Sequence, residues 1–193
     1  MTTNLKTEAW DDRVELAIQR WRTSGDVLWR GSRLAYQALA PLCAGRTVVD
    51  VGCGVGAGTA VLATTAKSAR GIDRQQSAIS FARSMNPLMP LEVWDITLEP
   101  YPGVYDDVVC VEVIEHIREA GMALRCMMAM SKSIWLTTPE REAGEVTDPR
   151  HVREYTWPEL VALVESTGQE VKISGGPSPG SHAQMVAHVE VLS

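Results

Sequence analysis

One stretch limits the fold more than any other: Val48-Val49-Asp50-Val51-Gly52-Cys53-Gly54-Val55-Gly56-Ala57-Gly58-Thr59. A short β-branched run reads as a buried strand, and it gives way at once to alternating glycines and then to a small-residue helical stretch over residues 57–66. Glycine at that density lets a tight turn form and lets a ligand approach the backbone. A strand, a glycine turn and a helix in this order form the opening unit of an open α/β sheet that binds a ligand at the strand ends.

The rest of the chain repeats that alternation. Strands are expected near residues 69–73, 91–94, 105–113, 133–136, 171–174 and 184–191, with helices near 75–85 and 118–130. Thr156-Trp157-Pro158-Glu159 reads as a capping box with an early proline, opening a helix that ends at Gly168. Upstream, residues 8–22 carry Trp10, Val14, Ala17, Ile18 and Trp21 at helical spacing, and a second helix is expected over 27–40, closed by Pro41 and Gly45. Strand and helix alternation implies a largely parallel sheet covered on both faces. The last two strands, joined by a glycine- and proline-rich turn, imply an antiparallel end. The expected fold is therefore a Rossmann-like, doubly wound, seven-stranded α/β sheet with its last strand antiparallel. With 193 residues, one domain is expected, with a helical cap at 1–45 before a core at 46–193.

Composition excludes several classes. Cys43, Cys53, Cys110 and Cys126 form no C-x-x-C pair, so neither a zinc knuckle nor a disulfide framework is expected, and reduced thiols suit a cytoplasmic protein. The net charge of −6, without a Lys/Arg block, argues against tight non-specific nucleic-acid binding. Residues 48–66 are apolar but interrupted by Asp50 and glycines, so no membrane insertion is expected. Met122, Met127, Met128 and Met130 read as core fillers.

Three acidic positions narrow the ligand. Asp73 ends the second strand 19 residues after Gly54, where a carboxylate can take two ribose hydroxyls. Asp50 stands immediately before the glycine turn, where a pyrophosphate would meet negative charge, which disfavours a nicotinamide dinucleotide and favours a ligand with an ammonium group. Trp94-Asp95-Ile96, at the end of the third strand, offers an acceptor for an adenine amino group between apolar flanks. As a set, these motifs resemble the class I methyltransferases that use S-adenosylmethionine, of the type 11/type 23 kind, over roughly residues 46–191. The resemblance implies that Asp50, Gly52, Gly54 and Gly56 hold the methionine part, that Asp73 holds the ribose, and that Asp95 and Ile96 hold the adenine. Arg74 and Val111 complete the cofactor-binding set.

A second constellation ends the fourth strand: Val111-Glu112-Val113-Ile114-Glu115-His116. Strand carboxyl ends line the crevice of an open α/β sheet, so these groups are expected beside the cofactor. His116 reads either as a general base, its reference pKa of about 6.5 suiting proton removal near neutrality, or as a metal ligand together with Glu112, Glu115 and His151. Carboxylates with imidazoles suit magnesium or manganese. A third reading makes the motif a structural turn. Glu-Val-Ile-Glu-His resembles a signature of ubiquinone-pathway O-methyltransferases and of small-RNA 2′-O-methyltransferases, both associated with a metal. His151, in Asp148-Pro149-Arg150-His151-Val152-Arg153, falls on a long polar loop whose arginines would favour an anionic substrate on closing.

The expected activity is methyl transfer from S-adenosylmethionine to a hydroxyl oxygen of a small molecule, sugar or isoprenoid-type ring, with Glu112, His116 and His151 as catalytic candidates. A small-molecule acceptor is favoured over a nucleic acid. The alternatives are a metal-dependent RNA ribose 2′-O-methyltransferase and a non-catalytic cofactor-binding protein.

Overall fold

The computed structural model describes residues 15, 16, 19, 30–141, 148–177 and 184–192. Residues 15, 16 and 19 are helical; the remainder of the expected 8–22 helix, with Trp10 and Trp21, lies outside the described residues, as do Trp29 and His182. The elements are α1 (Arg30–Leu42), β1 (Thr47–Val51), α2 (Ala57–Leu62), β2 (Ser68–Asp73), α3 (Gln76–Met85), β3 (Leu91–Val93), β4 (Asp107–Val111), a 3₁₀ turn (Ile114–His116), α4 (Ala120–Met130), β5 (Ser133–Pro139), α5 (Trp157–Glu165), β6 (Val171–Pro177) and β7 (Gln184–Val191).

The seven strands form one sheet in the order β3-β2-β1-β4-β5-β7-β6. All neighbours are parallel except β7, which runs antiparallel to both β5 and β6. The order reverses between β1 and β4, so their carboxyl ends open a crevice at the switch point. The expected α/β architecture is present, including the inverted strand near the C-terminus and the Thr156/Glu159 capping box, both of whose bonds form. No helix among the described residues is long and apolar enough to cross a membrane.

Several boundaries differ from expectation. β5 runs on to Pro139, because β7 pairs with it over seven residues, from Ser133↔Glu190 to Pro139↔Gln184. α2 stops at Leu62 rather than 66. Beyond it, the hydroxyls of Thr64 and Thr65 donate to the carbonyls of Val61 (2.7 Å) and Ala40 (2.5 Å), offering the backbone an alternative to further helix. Met127, Met128 and Met130 are buried as expected, but Met122 is exposed.

Side chains alternate across each strand. On β1, Val49 and Val51 join the larger core beneath α4 and α5, built on Cys110, Ile114, Leu124, Met127, Leu136 and Tyr155. Val48 faces the other way, into a smaller core with Tyr36 and Leu39 of α1, Leu62 of α2, and Val109 and Val111 of β4. Asp50 shares that second face, fully buried. Tyr36 Oη donates to its Oδ1 (2.9 Å) and Thr59 Oγ1 to its Oδ2 (2.6 Å), so one carboxylate joins β1, α1 and α2. The ring of Tyr36 reaches Asp50 by crossing Gly58, where a Cβ would fall 2.1 Å from the ring carbon Cζ. The four cysteines are free and buried.

Burial pushes the Asp50 carboxyl up to about 7 despite the two hydroxyl donors, and the charge of Asp73 adds to the rise. The folded state thus holds this proton more tightly than the unfolded chain, whose aspartate titrates near 3.8. The contribution to stability is complete below that value and is lost as pH rises through about 7. Denaturant unfolding of the wild type and Asp50→Asn between pH 4 and 8 is expected to show the wild type losing stability relative to the variant across this window. A difference that stays flat with pH would place the Asp50 carboxyl in the ordinary range.

Candidate active site

A cleft opens over the carboxyl ends of β1, β2, β3 and β4. It is lined by the glycine loop, Gly52 to Val55, by Asp73, Arg74 and Gln75 after β2, and by Asp95, Ile96 and Thr97 after β3. Val111, Glu112, Val113, His116 and Ile117 line the far end, and Ser32 and Tyr36 of α1 close it. The last two were not visible in the sequence as site residues; their i, i+4 spacing on a helix next to the glycine loop was the available signal.

The loop is held by main-chain bonds. The N–H groups of Gly52 and Cys53 both donate to the Ile72 carbonyl (2.8 and 3.0 Å). The Asp73 carboxylate accepts from the N–H groups of Gly54 (2.9 Å) and Gln75 (2.8 Å), tying the β2 end to the loop. Asp95 Oδ1 accepts from the N–H (2.9 Å) and hydroxyl (2.7 Å) of Thr97, which fixes the turn after β3. Gly52 cannot be replaced without strain: its φ is +72°, and a Cβ there would lie 2.4 Å from Val113 Cγ2.

Of the positions marked from sequence, Gly52, Gly54, Asp73, Arg74, Asp95, Ile96, Val111, Glu112 and His116 line the cleft. Asp50, Gly56, Glu115 and His151 do not. Asp50 stands behind the loop with its oxygens on Tyr36 and Thr59, so the expectation that it faces a ligand's ammonium gives way to a framework role. Gly56 is the N-cap of α2, packed against Leu91 and Ala82.

Glu112 is the one described non-glycine residue with positive φ, at +56°. Its Oε1 accepts from Gln184 Nε2 (2.8 Å) and Thr137 Oγ1 (3.2 Å), so β7 and β5 both hold it at the cleft. That separates it from the other three proposed ligands. Glu115, His116 and His151 do gather: one ligand atom from each lies within 4.8 Å of the others. Glu115 is buried and set back from the cleft, with Thr138 Oγ1 donating to its Oε2 (3.0 Å). His116 Nε2 is 3.8 Å from Glu115 Oε1, and the His116 and His151 rings meet edge-on with centroids 4.8 Å apart. Three of the four expected ligands, Glu115, His116 and His151, thus gather among the described residues, while the hydrogen bonds of Glu112 run to Gln184 and Thr137.

The segment 148–155, which carries His151, is clipped to its neighbours by main-chain bonds. The N–H groups of Val152 and Arg153 donate to the Glu115 carbonyl (2.8 and 3.2 Å), and Arg141 N–H donates to the Tyr155 carbonyl (2.8 Å). The arginines expected to meet an anionic substrate have partners. Arg141 spans both oxygens of Glu159 (2.7 Å each), Arg153 reaches Glu159 (3.3 Å) and lies over the Tyr155 ring, and Arg150 pairs with Asp148.

Strain and crowding at Gly52 make a double-variant test. Gly52→Ala is expected to cost ~2–4 kcal/mol of stability, from the left-handed φ and the collision with Val113. Adding Val113→Ala is expected to recover ~1 kcal/mol or more relative to the sum of the single effects. Strict additivity in denaturant unfolding would mean that the two residues do not meet.

A methyltransferase domain family model matches residues 49–133. A probable S-adenosylmethionine-dependent methyltransferase of Mycolicibacterium smegmatis is 31% identical over 162 residues, covering 79% of this chain and 63% of that protein. A ubiquinone biosynthesis O-methyltransferase of Ralstonia nicotianae is 31% identical over 116 residues, 55% of this chain and 48% of that one. The chain thus spans between about half and two thirds of the length of these relatives. Among solved structures, magnesium protoporphyrin IX methyltransferase of Synechocystis PCC 6803 with bound SAH superposes with a TM-score of 0.69, covering 97% of this chain and 100% of that one, at 17% identity. Fold, motif order and these relatives agree: residues 49–133 match a methyltransferase domain, and the chain is similar to S-adenosylmethionine-dependent methyltransferases.

Proposed function

We propose that the chain binds S-adenosylmethionine in this cleft and transfers its methyl group to a hydroxyl oxygen of a small molecule, a sugar or isoprenoid-type ring being the favoured class. The observation that carries the reading is that one cleft is lined both by Asp73, Asp95 and the glycine loop and by Glu112 and His116. The residues suit the cofactor. A Cβ on Gly54 would meet nothing within 4 Å, so the loop faces open space where a ligand can lie against backbone. Asp73 offers charge-assisted acceptors for ribose hydroxyls, and Asp95 and Ile96 an acceptor and an apolar wall for adenine. When bound, the cofactor supplies a sulfonium methyl that leaves by in-line displacement. The chain's part is alignment, exclusion of water and removal of one proton. In this reading His116 takes the acceptor's hydroxyl proton, and Glu115, 3.8 Å from its Nε2, stabilises the imidazolium formed. The pairing of Arg141, Arg150 and Arg153 with carboxylates supports an uncharged acceptor over a phosphate-bearing one such as RNA.

A second reading has an observation of its own. Two imidazoles and a carboxylate within 4.8 Å form a donor set suited to a divalent cation. Glu115, His116 and His151 would hold it, and it would orient the acceptor hydroxyl and lower its pKa.

Two experiments follow. Titration calorimetry is expected to show S-adenosylmethionine binding more tightly than NAD. Asp73→Ala should weaken that binding about 10- to 150-fold, the equivalent of ~1.5–3 kcal/mol. Asp73→Asn keeps one carbonyl oxygen and so only one of the two loop bonds, to Gly54 or to Gln75, which bounds the share of the loss that comes from loop support. Tighter binding of NAD would overturn the reading. For the chemistry, transfer of labelled methyl to a panel of catechols, sugars and quinols is expected to fall about 10²–10⁴-fold in His116→Ala with cofactor affinity kept. Activity that survives chelation assigns the base; activity lost on chelation and restored by manganese assigns the cation.

A further inference from the structure

A neutral imidazole has one N–H and one lone pair, and the hydrogen bond at one nitrogen decides which nitrogen is basic. His116 Nδ1 lies 3.2 Å from the Arg150 carbonyl oxygen, which can only accept, so Nδ1 carries the hydrogen and Nε2 the lone pair. His151 Nδ1 lies 2.6 Å from Glu154 Oε1. Glu154 is 1% exposed, and its Oε1 also accepts the Asp148 N–H (3.2 Å), which fixes it from the other end of the same loop. Its placement follows from the clip described above: the Glu115 carbonyl holds Val152 and Arg153, which leaves His151 and Glu154 folded back on one another.

We propose that Glu154 is a positioning residue that fixes His151 as its Nδ1–H tautomer, so that both histidines present Nε2 as the basic nitrogen in the cluster they share with Glu115. A buried carboxylate on one nitrogen of an imidazole is the arrangement that orients a catalytic or ligating histidine and raises the basicity of the other nitrogen. Base and cation readings alike need a lone pair on the far nitrogen, so the role of Glu154 rests on the proposed function only for its catalytic purpose, not for its geometry. In water the hydrogen of neutral histidine prefers Nε2. The protein must therefore hold these rings against their intrinsic preference, which the Arg150 carbonyl does for one and Glu154 for the other.

The test is long-range ¹H–¹⁵N correlation NMR of the full chain at a pH where both rings are neutral, since the two tautomers give distinct nitrogen shifts. Both histidines are expected as Nδ1–H in the wild type. Glu154→Gln keeps a carbonyl acceptor and is expected to leave His151 as Nδ1–H. Glu154→Ala is expected to move His151 predominantly to Nε2–H while His116 is unchanged. Nε2–H at His151 in the wild type, or Nδ1–H persisting in Glu154→Ala, would overturn the proposal. If Glu154→Ala does not fold, Glu154→Leu gives the same reading, and Nε2–H at His151 in the wild type overturns the proposal without either variant. Failure of S-adenosylmethionine to bind would remove the methyl-transfer reading and leave the tautomer assignment standing, so the two can fail separately.

Discussion

Everything at the cleft hangs on a carboxylate that never reaches it. Asp50 lies in the middle of the sheet, paired in register with Gly71 on one side and Val109 on the other, and it is closed off from water. A carboxylate in such a place is costly unless donors surround it. The donors come from α1 and α2, through Tyr36 and Thr59, so the cost of burial is offset only when both helices dock at their correct angles. Two glycines make room: Gly58 lets the Tyr36 ring pass, and a Cβ on Gly71 would fall 2.8 Å from the Thr59 hydroxyl. Docking α2 fixes where the glycine loop must end, and docking α1 brings Ser32 and Tyr36 to the cleft wall. The polar bond thus specifies geometry that apolar packing alone would leave looser.

The strand order then divides the labour. Because the sheet reverses between β1 and β4, the loops after β1, β2 and β3 meet on one side of the switch point and those after β4 and β5 on the other. The first group carries Asp73 and Asp95, the second Glu112, His116 and His151. The inverted β7 adds a long-range element: it brings Gln184 to Glu112, across 72 residues of sequence. In the same register it sets His188 against Trp135, the rings stacked at 3.9 Å.

How much of this was legible depended on whether the signal was local. Strands and helices were readable because periodicity is local, and the Thr156 capping box because its two partners are three residues apart. Asp73, Asp95 and His116 were readable because strand ends in this architecture point into one crevice. Asp50 was misplaced because a carboxylate before a glycine turn looks the same whether it faces a ligand or the interior. What decides is Tyr36 and Thr59, on other elements. Glu112, Glu115 and His116 adjoin in sequence, but the bonds of Glu112 to Thr137 and Gln184 cross from other strands and leave no local signal. Glu154 gave no sequence signal beyond its place three residues after His151, a spacing too common to single out.

The left-handed conformation at Glu112 is the remaining tension, and it connects the two halves of the cleft. A non-glycine residue there costs of order 1–2 kcal/mol and persists only where its surroundings over-determine it. Here they do: its N–H donates to the Thr137 carbonyl (3.0 Å), and its carboxylate is held from β5 and β7. The turn aims Val113 at Gly52, close enough to exclude any side chain there, and Val113 N-caps the 3₁₀ turn that carries Glu115 and His116. The strained turn thus joins the glycine loop to the histidine cluster through Val113, and under the proposed function that fixed relation serves the alignment that in-line transfer requires.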